Sequence, residues 1–174
     1  ALGARRAAAA RDFLIAQGVD PEEMYRRIFA TVPLQRIELL RHALDHLEVD
    51  EQAPITSISI GRGVMERLGA GSEDLDGIIE HARSIRGTEI ALLFRETSDG
   101  STKISFRSAG AADVNELARG FGGGGHVKAA GALVPEPLAT VRPRVMAAAR
   151  PVTRSSPCRC FRIRFSGARA TTSW

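Results

Sequence analysis

Apolar positions along the first 49 residues recur at helical spacing. Residues 4–17 are rich in Ala and Arg, carry Phe13 and Leu14 as their main apolar payload, and end at Gly18, which predicts a helix with a glycine C-cap. Asp20-Pro21-Glu22-Glu23 then offers an N-cap, a proline at the first helical position and a capping-box Glu. A second helix follows, with Met24, Ile28 and Phe29 as its apolar stripe. A third starts near Pro33, and the steps Leu34, Ile37, Leu40, Leu44 and Leu47 predict one buried face.

From about residue 50 the period shortens, and a domain boundary is expected there. ITSISI at 55–60 alternates Ile with Ser or Thr, the period of a half-buried strand. Gly61-Arg62-Gly63 opens a short helix at 64–68, and Ser72 or Asp74 caps another that runs to about Ala82. EIALLFRE (89–96) and STKISFRS (101–108) are joined by Thr97-Ser98-Asp99-Gly100, a hairpin signature. Residues 113–119 read as a helix with Val114, Leu117 and Ala118 inward. Ala129 to Val134 reads as a buried strand of small residues, and Leu138, Val141, Val145 and Met146 predict a last helix over 138–149.

Composition narrows the class. The 174 residues, 44% hydrophobic and 25% charged, suit one folded domain with an attached segment. The longest apolar runs, Ile90 to Phe94 and Ala129 to Pro135, are far too short to cross a bilayer, so no membrane partner is expected. The chain begins with Ala1 rather than Met and without a secretory leader, and it reads as the continuation of a longer protein. Its two cysteines, Cys158 and Cys160, cannot build a disulfide framework and lack a second ligand pair for zinc. A reducing, cytoplasmic setting is expected.

Charge changes the picture once it is divided. The net charge is +4, but eight arginines and no acid follow Glu136. Residues 1–136 therefore carry −4, the +4 total less those eight charges. Any nucleic-acid site in the body of the protein must be local. Residues 151–174, without acids or usable period, are set aside as a basic tail, disordered or non-native.

The segment Gly120-Phe121-Gly122-Gly123-Gly124-Gly125-His126 holds most of the candidate chemistry. Glycine costs roughly 0.5–1 kcal/mol against alanine in a regular element, so such a cluster marks positive φ or close approach of backbone to something. Unobstructed backbone N–H groups beside a His suit an anion, phosphate above all. The segment is not a P-loop, since no Lys-Ser or Lys-Thr follows the glycines, and a flexible linker is the competing reading. Gly61-Arg62-Gly63 fails as a dinucleotide fingerprint because position 66 is Glu. His42 and His46 stand one helical turn apart, a chelating spacing, but beside Arg41 and Asp45 they read as an exposed face.

Gly122-Gly123-Gly124-Gly125-His126 followed by Ala129-Ala130-Gly131 resembles the signature of the C-terminal domain associated with DHH phosphoesterases. Arg83-Ser84-Ile85, the two hairpin strands, and Asp113-Val114-Asn115 leading to Phe121 are similar to the branch of bifunctional oligoribonucleases and phosphoadenosine-phosphate phosphatases. The resemblance covers roughly residues 5–150. It implies an α/β fold, a mixed β-sheet flanked by helices, over 50–150. Residues 1–49 would be the helical interdomain connector and the end of a preceding catalytic domain.

It further implies substrate-binding roles for Gly122, Gly123, Gly124, Gly125 and His126, a phosphate grip for Arg107 with help from Ser108, and either substrate or a neighbouring acid for Arg83. In such enzymes a divalent metal pair, usually manganese, sits in the N-terminal domain. This chain has no Asp-His-His, so no catalytic or metal residue is assigned to it and no activity is expected of it alone. The implied partners are short RNA or a nucleoside bisphosphate and the catalytic domain; a homo-oligomer stays open. Rival readings are a cyclic-dinucleotide phosphodiesterase, a single-strand exonuclease relative, and a non-catalytic nucleotide-binding module.

Overall fold

The computed structural model describes residues 2–27 and 31–153. Ile28, Phe29, both cysteines and the tail from residue 154 lie outside the described residues. Helices α1 (Leu2–Ala16), α2 (Pro21–Tyr25) and α3 (Leu34–Asp45) come first. The sheet follows with its helices: β1 (Leu47–Val49), β2 (Ile55–Ile60), α4 (Val64–Leu68), α5 (Ile78–Arg83), β3 (Ile90–Glu96), β4 (Thr102–Ser108), α6 (Val114–Arg119), β5 (Gly124–His126), β6 (Ala129–Val134) and α7 (Leu138–Thr153). Gly18 takes φ 85° and the Asp20 carboxylate accepts the Glu22 and Glu23 N–H groups, as the capping signals predict. No helix among the described residues is long and apolar enough to cross a membrane.

Six strands form one mixed sheet in the order β1-β2-β3-β4-β6-β5. Only β2 and β3 run parallel, and α4 and α5 make the crossover between them. The Asp99-Gly100 turn closes the β3–β4 hairpin with Gly100 at φ 84°. On one face, Ile90, Leu92, Phe94, Ile104 and Phe106 pack against α6 and α7. On the other, Ile58, Ile60, Ala91 and Leu93 pack against Leu39 and Ala43 of α3, Val64 of α4, and Ile78, Ile79 and Ala82 of α5.

Burial from both sides explains where the alternation misled. ITSISI is buried almost throughout, and the Thr56 and Thr88 hydroxyls satisfy each other at 2.7 Å. The predicted stripe of α3 turns outward: Leu34, Ile37 and Leu44 are exposed, while Leu39 and Ala43, one turn apart, lie against the sheet with Leu40 and Leu47 packed partly beside them. The helix expected from Ser72 to Ala82 is broken at Gly77, φ 87°, into a 3-10 turn (Glu73–Leu75) and α5. Strand β1 pairs with β2, so the sheet begins at Leu47, slightly before the change of texture near 50. Helix α7 continues past 149 to Thr153, its inner row of Val141, Val145, Met146 and Ala149 outweighing Pro143 and Pro151.

Candidate functional site

One half of one sheet face is left open. Helices α3, α4 and α5 cover β1, β2 and β3 there, but Lys103, Leu133 and His126 on β4, β6 and β5 remain exposed, with Ser105, Arg107, Ala129 and Gly131 half-buried. Strand β6 is buried on one side only, through Ala130, Ala132 and Val134, rather than throughout as expected. Directly opposed residues share a face, so the register defines three rows across this shelf. Arg107, Ala129 and His126 form one; Ser105, Gly131 and Gly124 the next; Arg95, Lys103 and Leu133 the third. With strands ~4.8 Å apart, Arg107 and His126 stand roughly 10 Å apart at the backbone. Only a methyl group, on Ala129, rises between them.

The glycine segment is held by its own hydrogen bonds. Asp113 caps α6 by accepting the Asn115 and Glu116 N–H groups at 2.9 and 3.2 Å, and Asn115 Oδ1 in turn accepts the Gly125 N–H at 2.9 Å. The Gly122 and Gly123 N–H groups donate to the Arg119 and Ala118 carbonyls. Three of the four N–H groups are thus engaged within the protein, and the segment is neither a slack linker nor an open N–H nest. What demands glycine is close approach to β6: a Cβ on Gly123 would stand 2.0 Å from the Gly131 carbonyl oxygen, and one on Gly125 2.5 Å from that of Ala129. Gly122 adds a positive φ of 74°. The short strand β5 grows out of this contact, pairs with β6 through His126 opposite Ala129, and presents an exposed imidazole that has no hydrogen-bond partner among the described residues.

Arg107 and Arg83 meet at one acid. Glu80 on α5 accepts Arg83 Nε at 2.6 Å, and its other oxygen lies 3.6 Å from Arg107 Nε. Arg107 also donates to its neighbour's carbonyl, Phe106 O, at 3.0 Å. Ser108 is placed elsewhere: it sits on the buried face, and its hydroxyl donates to the Gly110 carbonyl. The structure therefore brings together Arg107, His126 and, through Glu80, Arg83, and does not bring Ser108 to the shelf.

Three contributors escaped the sequence reading. Lys103 and Ser105 share the Arg107 face of β4, and Arg95 lies directly opposite Lys103. These four line a cavity of about 180 Å³ whose far wall is Asp76-Gly77 ahead of α5. Alternation within KISFRS could have revealed the β4 trio; Arg95 needed the hairpin register. Among the described residues Arg95 and Lys103 form no ion pair, Arg95 reaching only the Met65 sulfur at 3.5 Å.

Among the described residues no three His, Cys, Asp or Glu side chains gather into a binding set. His42 and His46 stack with ring centroids 4.1 Å apart, and His46 Nδ1 donates to the His42 carbonyl, which occupies one of the ring nitrogens a metal would need. Burial, then the neighbouring His46 and Arg67, lower the pKa of His42.

Fold, signature and site place the chain in a known class: it belongs to the DHHA1 domain family, matched over residues 53–150, and is a C-terminal DHHA1 domain of the DHH phosphoesterase family. Among similar proteins, the bifunctional oligoribonuclease and PAP phosphatase NrnA of Thermus thermophilus is 39% identical over 67 residues, 38% of this chain and 20% of that protein. An exopolyphosphatase-related protein from Bacteroides fragilis shares the fold with a TM-score of 0.72 at 24% identity, covering 86% of this chain and 45% of that one. The chain spans a fifth of the curated relative's length and under half of the structural relative's.

Proposed function

We propose that this chain is the substrate-holding part of a cytoplasmic, metal-dependent phosphoesterase that degrades short oligoribonucleotides and dephosphorylates adenosine 3′,5′-bisphosphate. The observation that carries the reading is the row Arg107–Ala129–His126 on an otherwise uncovered half-sheet. A guanidinium matches two phosphate oxygens at once, and an imidazole two strands away supplies a further donor. The small Ala129 between them, with Gly131 and Gly124 in the next row, lets a sugar-phosphate lie close to the backbone. Glu80 holds Arg107 at 3.6 Å, loose enough for a phosphate to take its place. The divalent metal pair, manganese in this reading, belongs to a separate catalytic domain, and the part played by this chain is to bind and orient. The oligoribonuclease and PAP phosphatase functions of the Thermus relative support this assignment.

Calorimetric titration with 5′-phosphorylated diadenylate and with adenosine 3′,5′-bisphosphate tests it. A hydrogen bond to a charged group contributes about 1.5–3 kcal/mol, so Arg107→Ala should weaken both ligands by roughly 10- to 100-fold, and His126→Ala by a similar factor. Melting temperatures should stay close to wild type. Unchanged affinity in both variants removes the row from the site.

A further inference from the structure

The third row of the shelf is built like a second seat for a nucleic-acid strand. Arg95 and Lys103 face each other across β3 and β4, and neither is paired with an acid among the described residues. Beside them Leu133 is 59% exposed, while the other large apolar side chains on the described strands are buried or half-buried. Arg95, Lys103 and Leu133, with Gly123, Gly131 and Ala132, enclose an open depression of about 450 Å³. Its rim is cationic and its floor apolar. That combination suits one nucleotide unit, phosphate on the cations and base against the Leu133 side chain.

Spacing connects this seat to the first. Along β4, Arg107, Ser105 and Lys103 point to the same face, each about 6.6 Å from the next, so Lys103 lies roughly 13 Å from Arg107. One such step is close to one extended nucleotide repeat. With a terminal phosphate at Arg107, the second falls beside the Ser105 hydroxyl over the bare Gly131, and the third reaches Lys103 and Arg95. We infer that the Arg95–Lys103–Leu133 row is a distal subsite for the third nucleotide of a single-stranded oligonucleotide lying along β4. The inference rests on the phosphate seat proposed above and adds a length preference to it: the chain should discriminate among short oligonucleotides by how many phosphates they carry past the first.

The test is equilibrium binding of the 174-residue chain to pA, pApA and pApApApA at several salt concentrations. Wild type should bind pApApApA at least tenfold more tightly than pApA. Lys103→Gln and Arg95→Gln should bring pApApApA down to the level of pApA and leave pA unchanged. Each lost phosphate contact should flatten the slope of log K against log salt by about 0.7. Leu133→Ser should weaken pApApApA while keeping the salt slope, because it removes a base contact and no charge. If Arg107→Ala weakens pA while wild type binds pApA and pApApApA alike, the first seat stands and the distal subsite alone is refuted. An equal loss for all three ligands in Lys103→Gln also refutes it, since a general field would act so. If Arg107→Ala leaves pA binding intact, the phosphate seat is wrong and the subsite falls with it.

Discussion

A methyl group added at Gly123 would have nowhere to go, because the Gly131 carbonyl oxygen and the Ala132 Cβ lie 2.0 and 2.6 Å from its position. Both belong to the sheet, so β5 would have to lift away from β6. Gly123→Ala should therefore cost about 1–3 kcal/mol, the usual range for overpacking, read as a fall in melting temperature of roughly 2–4 °C per kcal/mol. Gly124→Ala is the control within the same run: its new Cβ would meet only Asn115 Oδ1 at 3.7 Å, and the change should stay within about 0.5 kcal/mol. Equal losses in the two variants would mean that the glycines serve chain flexibility and not the approach to β6. At this scale the sequence announced where glycine is required but not what approaches it. That information sits in Gly131 and Ala132, residues whose smallness was legible and whose position opposite the loop was not. Ser108 is a different case: it adjoins Arg107 in sequence and faces the other side of the sheet because side chains alternate, a period the sequence already carries.

Between elements, β1 and the turn after it are clamped to α7 by two ion pairs, Glu48–Arg142 at 2.7 Å and Asp50–Arg150 at 2.7 Å. Asp50 is the better placed, its side chain only 6% exposed and its other oxygen accepting the Gln52 N–H at 2.8 Å. Burial pushes its carboxyl up, but the Arg150 guanidinium and the Gln52 N–H outweigh that and hold its pKa below the ordinary aspartate value. A carboxyl whose pKa is lowered by folding stabilises the native state fully above its unfolded pKa, and loses that contribution as pH falls through the folded value. Asp50→Asn should thus lower stability at neutral pH by about 1–2 kcal/mol. The difference should close as pH falls from about 4 towards 2, as thermal melts of the two proteins across that range would record. A constant gap would assign the loss to packing and not to charge. The elements themselves were largely readable: Asp20, Gly63 and Asp113 lie next to helix starts, and Asp99-Gly100 closes its hairpin. What could not be read was which face each one buries. Helix α3 has apolar residues on more than one side, and only the placement of Leu39 and Ala43 against Ile58 decides that Leu34, Ile37 and Leu44 face outward.

For the whole molecule, sheet order separates the part that is covered from the part that can hold a ligand. The crossover from β2 to β3 brings α4 and α5 onto one half of a face, and the hairpin and β6–β5 return extend the sheet beyond their reach. No local pattern encodes that asymmetry, and Arg95 joins the open shelf only once the strands are paired. The consequence is an open surface that carries cations and donors and, among the described residues, no metal set. Binding and hydrolysis should then separate cleanly. A saturating oligonucleotide at about 100 times its Kd stabilises the native chain by about 2.7 kcal/mol, a rise of roughly 5–10 °C in melting temperature at 2–4 °C per kcal/mol. That rise should be the same in EDTA as in manganese. Over the same incubation with manganese, no phosphate or mononucleotide should be released. A thermal shift that vanishes in EDTA would place a metal at the shelf itself. Manganese-dependent release by the pure chain would show that it carries a reaction centre of its own, whereas a metal-independent shift without release leaves Arg107, His126 and the rows beside them as the means by which a substrate is held for chemistry performed elsewhere.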